Sequence, residues 1–341
     1  MRHDRVSVLR VTPIAHLRTL LLAAGLIFLA LAVARIGTDA LLRALAALGP
    51  GLALLALLSL LWTGAAAAGW RLTFAPGAPP VGFWPLLRAK AAADGLNVLL
   101  PLMSLGGEPL RAVWLGQWLG LNAAAATVVI SKLAFLAAGL VFVLLAAGAL
   151  ALSGQLSTEL AVGLGCFLGA GAALFGAGYW AVRGRKVRYL PALLRRLRLP
   201  LRGDAEARWL LIDEALYGFC FSVGRRRQAA VLALHLLERL FHTLEFWILF
   251  WLLDLKLGAL DALSAYGLTT AANTAFFFVP AGQIGVTEGG QTLALVWLGA
   301  AAEDGLALAL ARRIRSLIWS GFWVLLGRRA LSTRSAMPPN A

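Results

Sequence analysis

Apolar residues run along the chain in long unbroken blocks, without the alternation of a strand or the one-sided period of a soluble helix. Residues 17–34, 45–70, 124–150, 160–182, 229–253 and 304–326 are each long enough to cross about 30 Å of hydrocarbon as a helix. Two further blocks are interrupted. Residues 86–120 contain Pro101, Gly106, Gly107 and Pro109, and residues 262–302 contain Pro280, Gly282, Gly285, Gly289 and Gly290. Each reads as helix, break, helix, with arms of about 12–17 residues that reach mid-membrane and return. The pattern predicts an all-α polytopic membrane protein, with about six transmembrane helices plus two re-entrant helical hairpins, in one integral membrane domain over 1–341.

Composition agrees. Of 341 residues, 60% are hydrophobic and 14% charged, and mean hydropathy is +0.81. Soluble domains carry about 25% charged residues, so a soluble enzyme and a nucleic-acid binder are both excluded. The first block follows Arg2, Arg5, Arg10 and Arg18, and Ala32-Val33-Ala34 resembles a signal-peptidase site. The block is longer than a usual signal core and runs on into more apolar sequence, so an uncleaved helix is expected. Cys166 and Cys220 have no metal-ligand spacing and are expected to be buried free thiols.

The formal charge of +15 then reports topology. With the N-terminus inside, segments 1–18, 71–90, 183–228 and 327–341 hold 22 of the 31 Lys and Arg residues, whereas the outer segments hold only Arg35, Arg43 and Lys256. This positive-inside bias puts both termini in the cytoplasm. The first hairpin (86–150 with its following helix) then enters from the inside and the second (262–326) from the outside. The basic loop 183–228 alternates Arg195, Arg196, Arg198 and Arg202 with Leu, then mixes Trp209, Leu210 and Leu211 with Asp213 and Glu214. It reads as an interfacial helix against anionic lipid headgroups, with no nucleic-acid role.

The two hairpins resemble each other. NVLLPLMSLGGEPLRAVWLG and NTAFFFVPAGQIGVTEGGQTLALVWLG both run from an Asn through a Pro to a Gly-rich break, a Glu and an arm ending in Trp-Leu-Gly. Lys132 follows Glu108 by 24 residues, and Arg312 follows Glu288 by 24. Two such units of opposite sense make an inverted-topology repeat, an arrangement that transporters use to place a site near the midplane. Broken helices also leave backbone groups that must face protein or a wet cavity, and the starts of the returning arms favour an anion.

Charges inside the apolar blocks are the candidate chemistry, because a lone cation there costs about 2.5–3.5 kcal/mol on insertion scales. Lys132, Arg312 and Arg315 are candidate cavity bases, with Arg312 and Arg315 on one face and Arg313 off it. Glu108 and Arg111 are spaced to pair on one helical turn, and Glu288 is placed to cap its returning arm. Residues His235, Glu238, His242 and Glu245, with Arg239 beside them, form a polar stripe on the fifth span. It is a cavity wall, a proton relay or a satisfied bundle face. The spacing is not that of a metal site, no nucleophile motif occurs, and no cofactor or metal is expected.

On GGEPLRAVWLG with ATVVISKLAFLAAG, and on FFFVPAGQIGVTEGGQTLALVWLG with ALALARRIRSLIW, the chain resembles the flippase-like family named after the transmembrane region of lysylphosphatidylglycerol synthase. The FFVPAGQIGVTEGG form is similar to the branch associated with hopanoid biosynthesis. The resemblance implies a bacterial inner-membrane protein that moves lipids or lipid-linked molecules between leaflets, and it points to Glu108, Arg111, Gly285 and Glu288. The family's base after the first hairpin is often an Arg preceded by Glu, where this chain has Ser131-Lys132. The namesake's soluble aminoacyl-transferase domain has no counterpart here, so lysyl transfer is not expected. The expectation is therefore a lipid flippase or transporter, hopanoid- or phospholipid-related, with membrane lipids and lipid-biosynthesis proteins as partners. The alternative is a membrane-embedded enzyme or scaffold in lipid biosynthesis.

Overall fold

The computed structural model describes Gly49, residues 51–99, 107–186, Arg196, 205–276 and 286–332. The block 17–34, both hairpin tips (including Pro101, Gly106, Pro280, Gly282 and Gly285), Arg35, Arg43, both termini and most of the basic loop lie outside the described residues. Those described form ten α-helices and one π-helical turn: α1 (Gly51–Arg71), α2 (Phe83–Leu99), α3 (Gly107–Leu119), α4 (Leu121–Leu152), α5 (Thr158–Arg183), α6 (Ala205–Tyr217), the turn Gly218–Ser222, α7 (Arg225–Leu252), α8 (Ala259–Ala275), α9 (Val286–Trp297) and α10 (Ala302–Ser332). The fold is all-α and polytopic. Among these helices, α1, α4 and α5 are long and apolar enough to cross a membrane. The span expected at 304–326 falls within α10 and that at 229–253 lies in α7 but for its last residue; both helices have the length but carry the interior charges.

The helices on either side of each break are matched. The first unit has helices of 17, 13 and 32 residues (α2, α3, α4), and the second has 17, 12 and 31 (α8, α9, α10). Their packing is reciprocal as well. In each unit the second short helix packs on the first and on the long helix, and the first short helix packs on the long helix of the other unit: α2 against α10, and α8 against α4.

Lipid offers apolar side chains no less than a helix neighbour does, so close backbone approach has to hold such a bundle together. Small residues sit where that approach occurs. A Cβ on Gly95 of α2 would meet the Ser320 carbonyl of α10 at 3.0 Å, and one on Gly267 of α8 would fall on the Ala146 Cβ of α4. The α3–α4 corner is a single residue, Gly120, at φ 78° and ψ 147°, a conformation open essentially to glycine alone. Around these contacts Leu55, Phe142, Phe246, Phe250, Leu295 and Leu308 fill the main apolar core.

The periphery differs from the expectation for Cys166. It lies on α5 and is exposed, while Cys220 is half-buried. Only 11% of the most apolar stretch of α5 is covered by protein. The helix is apolar for the sake of lipid, and a thiol on it needs no protein cover. In α6 the polarity is inverted: Leu210 and Leu211 are exposed, whereas Asp213 is fully buried with Arg185 3.7 Å away. Arg185 also lies over the Tyr217 ring. The helix turns its apolar side outward and packs against α4 and α5.

Candidate functional site

The second short helix of each unit is tied at its start to an asparagine of the first. In the first unit, the Asn97 side chain accepts from the Gly107 N–H (2.7 Å) and donates to Glu108 Oε2 (3.1 Å). In the second, the Asn273 side chain accepts from the Thr287 hydroxyl (3.1 Å). Gly107 and Thr287 are the residues just before Glu108 and Glu288. In the first unit the asparagine thus satisfies a backbone N–H at the start of α3 that has no partner within the helix. Both acids fall in the first turn of their arms, where the helix dipole favours a carboxylate.

Each acid is then claimed by a base of the following long helix. Lys132 donates to Glu108 Oε1 at 2.8 Å. Glu288 is held by Arg313 through both Nε and Nη2. The equal spacing of 24 residues had matched Lys132 with Arg312, and the structure corrects this. Lys132 and Arg313 are each the twelfth residue of their helix, counted from Leu121 and Ala302. The linker before α10 differs in length from the Gly120 corner, so sequence spacing and helical position fall out of step.

Arg312 and Arg315 turn to α7 instead. Glu245, fully buried, accepts from Arg312 Nε and Nη2 (3.1 and 2.9 Å) on Oε2, and Arg315 Nη2 lies 2.5 Å from Oε1. The two guanidiniums also stack over Phe246 and Trp62. Farther along α7, His235 Nδ1 lies 2.8 Å from Glu238 Oε2, and its Nε2 lies 3.5 Å from Ser131 Oγ. Arg111 shows a further departure from expectation. It acts electrostatically on Glu108, but its guanidinium reaches Ser131 (3.5 Å) and covers the Trp70 ring at 4.1 Å. Glu108 is satisfied by Asn97 and Lys132, which leaves Arg111 for the aromatic face. Arg239 donates to the Phe135 carbonyl (2.8 Å) and the Tyr266 hydroxyl (3.1 Å). It bridges α4 and α8.

Between the two units lies a cavity of ≈ 190 Å³. Asn97 and Val98 line it from α2, Thr287, Glu288 and Gln291 from α9, and Arg312, Arg313, Arg315 and Ser316 from α10. Gln291 is only 2% exposed, and its Oε1 has no hydrogen-bond partner among the described residues; the same is true of Arg315 Nε. Three guanidiniums here meet two carboxylates, Glu245 and Glu288. Counted over these arginines and carboxylates alone, one positive charge remains over.

The structure therefore brings Glu288, Arg312 and Arg315 together around the cavity, with Glu245 paired to the two arginines. Glu108 is hydrogen-bonded to the cavity-lining Asn97 and paired with Lys132, Arg111 reaches Ser131 instead, and Gly285 lies outside the described residues. Arg313, Asn97, Asn273, Thr287, Ser131 and Gln291 were not among the expected site residues. The shared Asn at the head of both hairpin sequences was the legible signal for two of them. No group of three or more His, Cys, Asp or Glu among the described residues is placed to hold a metal ion.

Over residues 17–323 the chain matches the family described as the lysylphosphatidylglycerol synthase TM region. It belongs to that family. No curated protein and no solved structure matches it. The family match covers both units and the α7 stripe. The chain is thus a membrane-embedded helical protein of the flippase-like lysylphosphatidylglycerol synthase TM family, and its buried charged seam is consistent with lipid handling.

Proposed function

We propose that this protein moves a lipid or lipid-linked molecule between the leaflets of the bacterial inner membrane, binding an anionic headgroup in the cavity between its two units. The observation that carries this reading is the cavity itself. Three arginines, one excess positive charge and the open Gln291 Oε1 suit an anion that also brings a hydrogen-bond donor. A volume of ≈ 190 Å³ is below the usual range for a whole small-molecule ligand, about 300–1,000 Å³. It suits a headgroup whose tails stay in lipid.

In this reading the two units are re-entrant hairpins of opposite sense, and their reciprocal packing supports it. Movement of one unit against the other would open the cavity to each side in turn. The pairs Glu108–Lys132 and Glu288–Arg313 hold the returning arms to the long helices, and exchange of Arg313 from Glu288 to the lipid phosphate would release the second arm. Phospholipid and hopanoid-related substrates both fall within this chemistry.

The test is a leaflet-translocation assay on protein reconstituted into vesicles, with a labelled anionic lipid. Glu288→Gln, Lys132→Ala and Arg315→Met are each expected to lower the transfer rate at least about tenfold, the effect of losing roughly 1.4 kcal/mol of binding or barrier stabilisation. Undiminished transfer in all three removes the seam from the mechanism.

A further inference from the structure

The headgroup reading leaves much of α7 unused. His235-x-x-Glu238 recurs one heptad later as His242-x-x-Glu245, so one face of the helix alternates imidazole and carboxylate. From first to last is ten residues, about 15 Å, or half the hydrocarbon thickness. His235, Glu238 and Glu245 are buried, and the His242 side chain is only 20% exposed.

Each end of the stripe meets a different unit. At one end His235 Nε2 faces Ser131 Oγ, whose neighbour Lys132 has a side chain 31% exposed and paired with Glu108. At the other end Glu245 holds Arg312 and Arg315, both of which line the cavity. In between, His242 follows Glu238 by four residues, one helical turn on the same face, and lies 3.8 Å from Glu245. The groups facing the stripe are Lys90 from α2, Arg111 from α3, Ser131 from α4, Trp62 from α1, Tyr266 from α8, and Arg312 and Arg315 from α10.

Holding two arginines needs one carboxylate. It does not need imidazoles between carboxylates. A neutral imidazole accepts a proton at one nitrogen and releases one from the other, and chains of His and acids inside membranes mark proton paths. We propose that α7 carries a proton along His235, Glu238, His242 and Glu245, and that this proton is coupled to headgroup movement. The inference rests on the transport reading above. The coupling follows from the last step. A proton arriving at Glu245 neutralises the carboxylate that occupies Arg312 and Arg315. The excess positive charge at the cavity rises from one to two, and both guanidiniums are freed to face the anion. Headgroup binding and proton uptake therefore favour each other, as linkage requires. One proton travelling with one singly charged headgroup moves no net charge.

The experiment uses the full chain in phosphatidylcholine vesicles doped with a trace of fluorescent phosphatidylglycerol, with a pH dye inside. A gradient of about one pH unit is imposed, and the labelled lipid in each leaflet is read by external quenching. At one proton per lipid, the gradient shifts the steady-state leaflet ratio about tenfold. Lipid movement also dissipates the gradient. Glu238→Gln and His242→Gln are expected to lose the pH response while still equilibrating lipid without a gradient, and Glu238→Asp, which keeps the titratable group, retains it. A wild-type leaflet ratio indifferent to the gradient overturns the proposal and leaves the transport reading standing. So does an unaltered response in the Gln variants. Absence of lipid transfer under every gradient overturns both.

Discussion

Replacing Glu245 by Gln removes one charge and leaves the shape of the side chain almost unchanged. The carboxylate is fully buried and accepts from Arg312 at 3.1 and 2.9 Å, with Arg315 at 2.5 Å. The amide keeps one acceptor oxygen, so one arginine retains a neutral partner. The other is left in the interior facing an NH₂ donor. Breaking a buried ion pair by removing one partner costs about 3–5 kcal/mol. The stacking of both guanidiniums on Phe246 and Trp62 persists in the variant and puts the expectation near the lower figure. At roughly 2 °C per kcal/mol for a chain of this size, Tm falls by about 6 °C or more. The measurement is thermal unfolding of the purified protein in detergent, followed by near-ultraviolet dichroism of its tryptophans. A double-mutant cycle assigns the cause. Arg315→Met on the Glu245→Gln background is expected to cost at least about 1 kcal/mol less than on the wild type, since the charge it removes no longer has its partner. A Tm within a degree of wild type, or a strictly additive cycle, refutes the assignment of Glu245 as the anchor of α10.

Gly267→Ala drives a methyl onto Ala146 of α4 and is expected to destabilise by about 1–3 kcal/mol, with recovery of Tm on adding Ala146→Gly. Gly120→Ala forces a Cβ into the α3–α4 corner at φ 78° and is expected to lower stability by about 1–3 kcal/mol, read by the same melting assay. Asn97→Leu removes the acceptor of the Gly107 N–H and one of the two partners of Glu108, and is expected to slow lipid transfer at least about tenfold in reconstituted vesicles. A spin label on Cys166 is expected to show high accessibility to oxygen and low accessibility to a water-soluble nickel chelate, because α5 presents this position to lipid.

The helical class was legible because it follows from a one-dimensional quantity, the length of an apolar run. The acids at the breaks were legible for a related reason, since a carboxylate beside a broken helix is rare enough in an apolar block to stand out. Partner assignments were not. The pairing of Glu288 with Arg313 and of Glu245 with Arg312 and Arg315 depends on the rotation of α10 about its axis, and a single residue of linker turns that axis by about 100°. The exposure of Cys166 was misread because an apolar run looks the same whether protein or lipid covers it.

From the sequence alone come the membrane as solvent, the helices and the set of charges that must be sheltered. Those are local properties, decided by what a short segment can do in hydrocarbon. The tertiary structure alone decides which charge shelters which, how α7 joins the two units, and that a cavity with excess positive charge opens between them. These depend on distances between residues remote along the chain, and ion pairing falls off too steeply with distance and burial for composition or spacing to specify them.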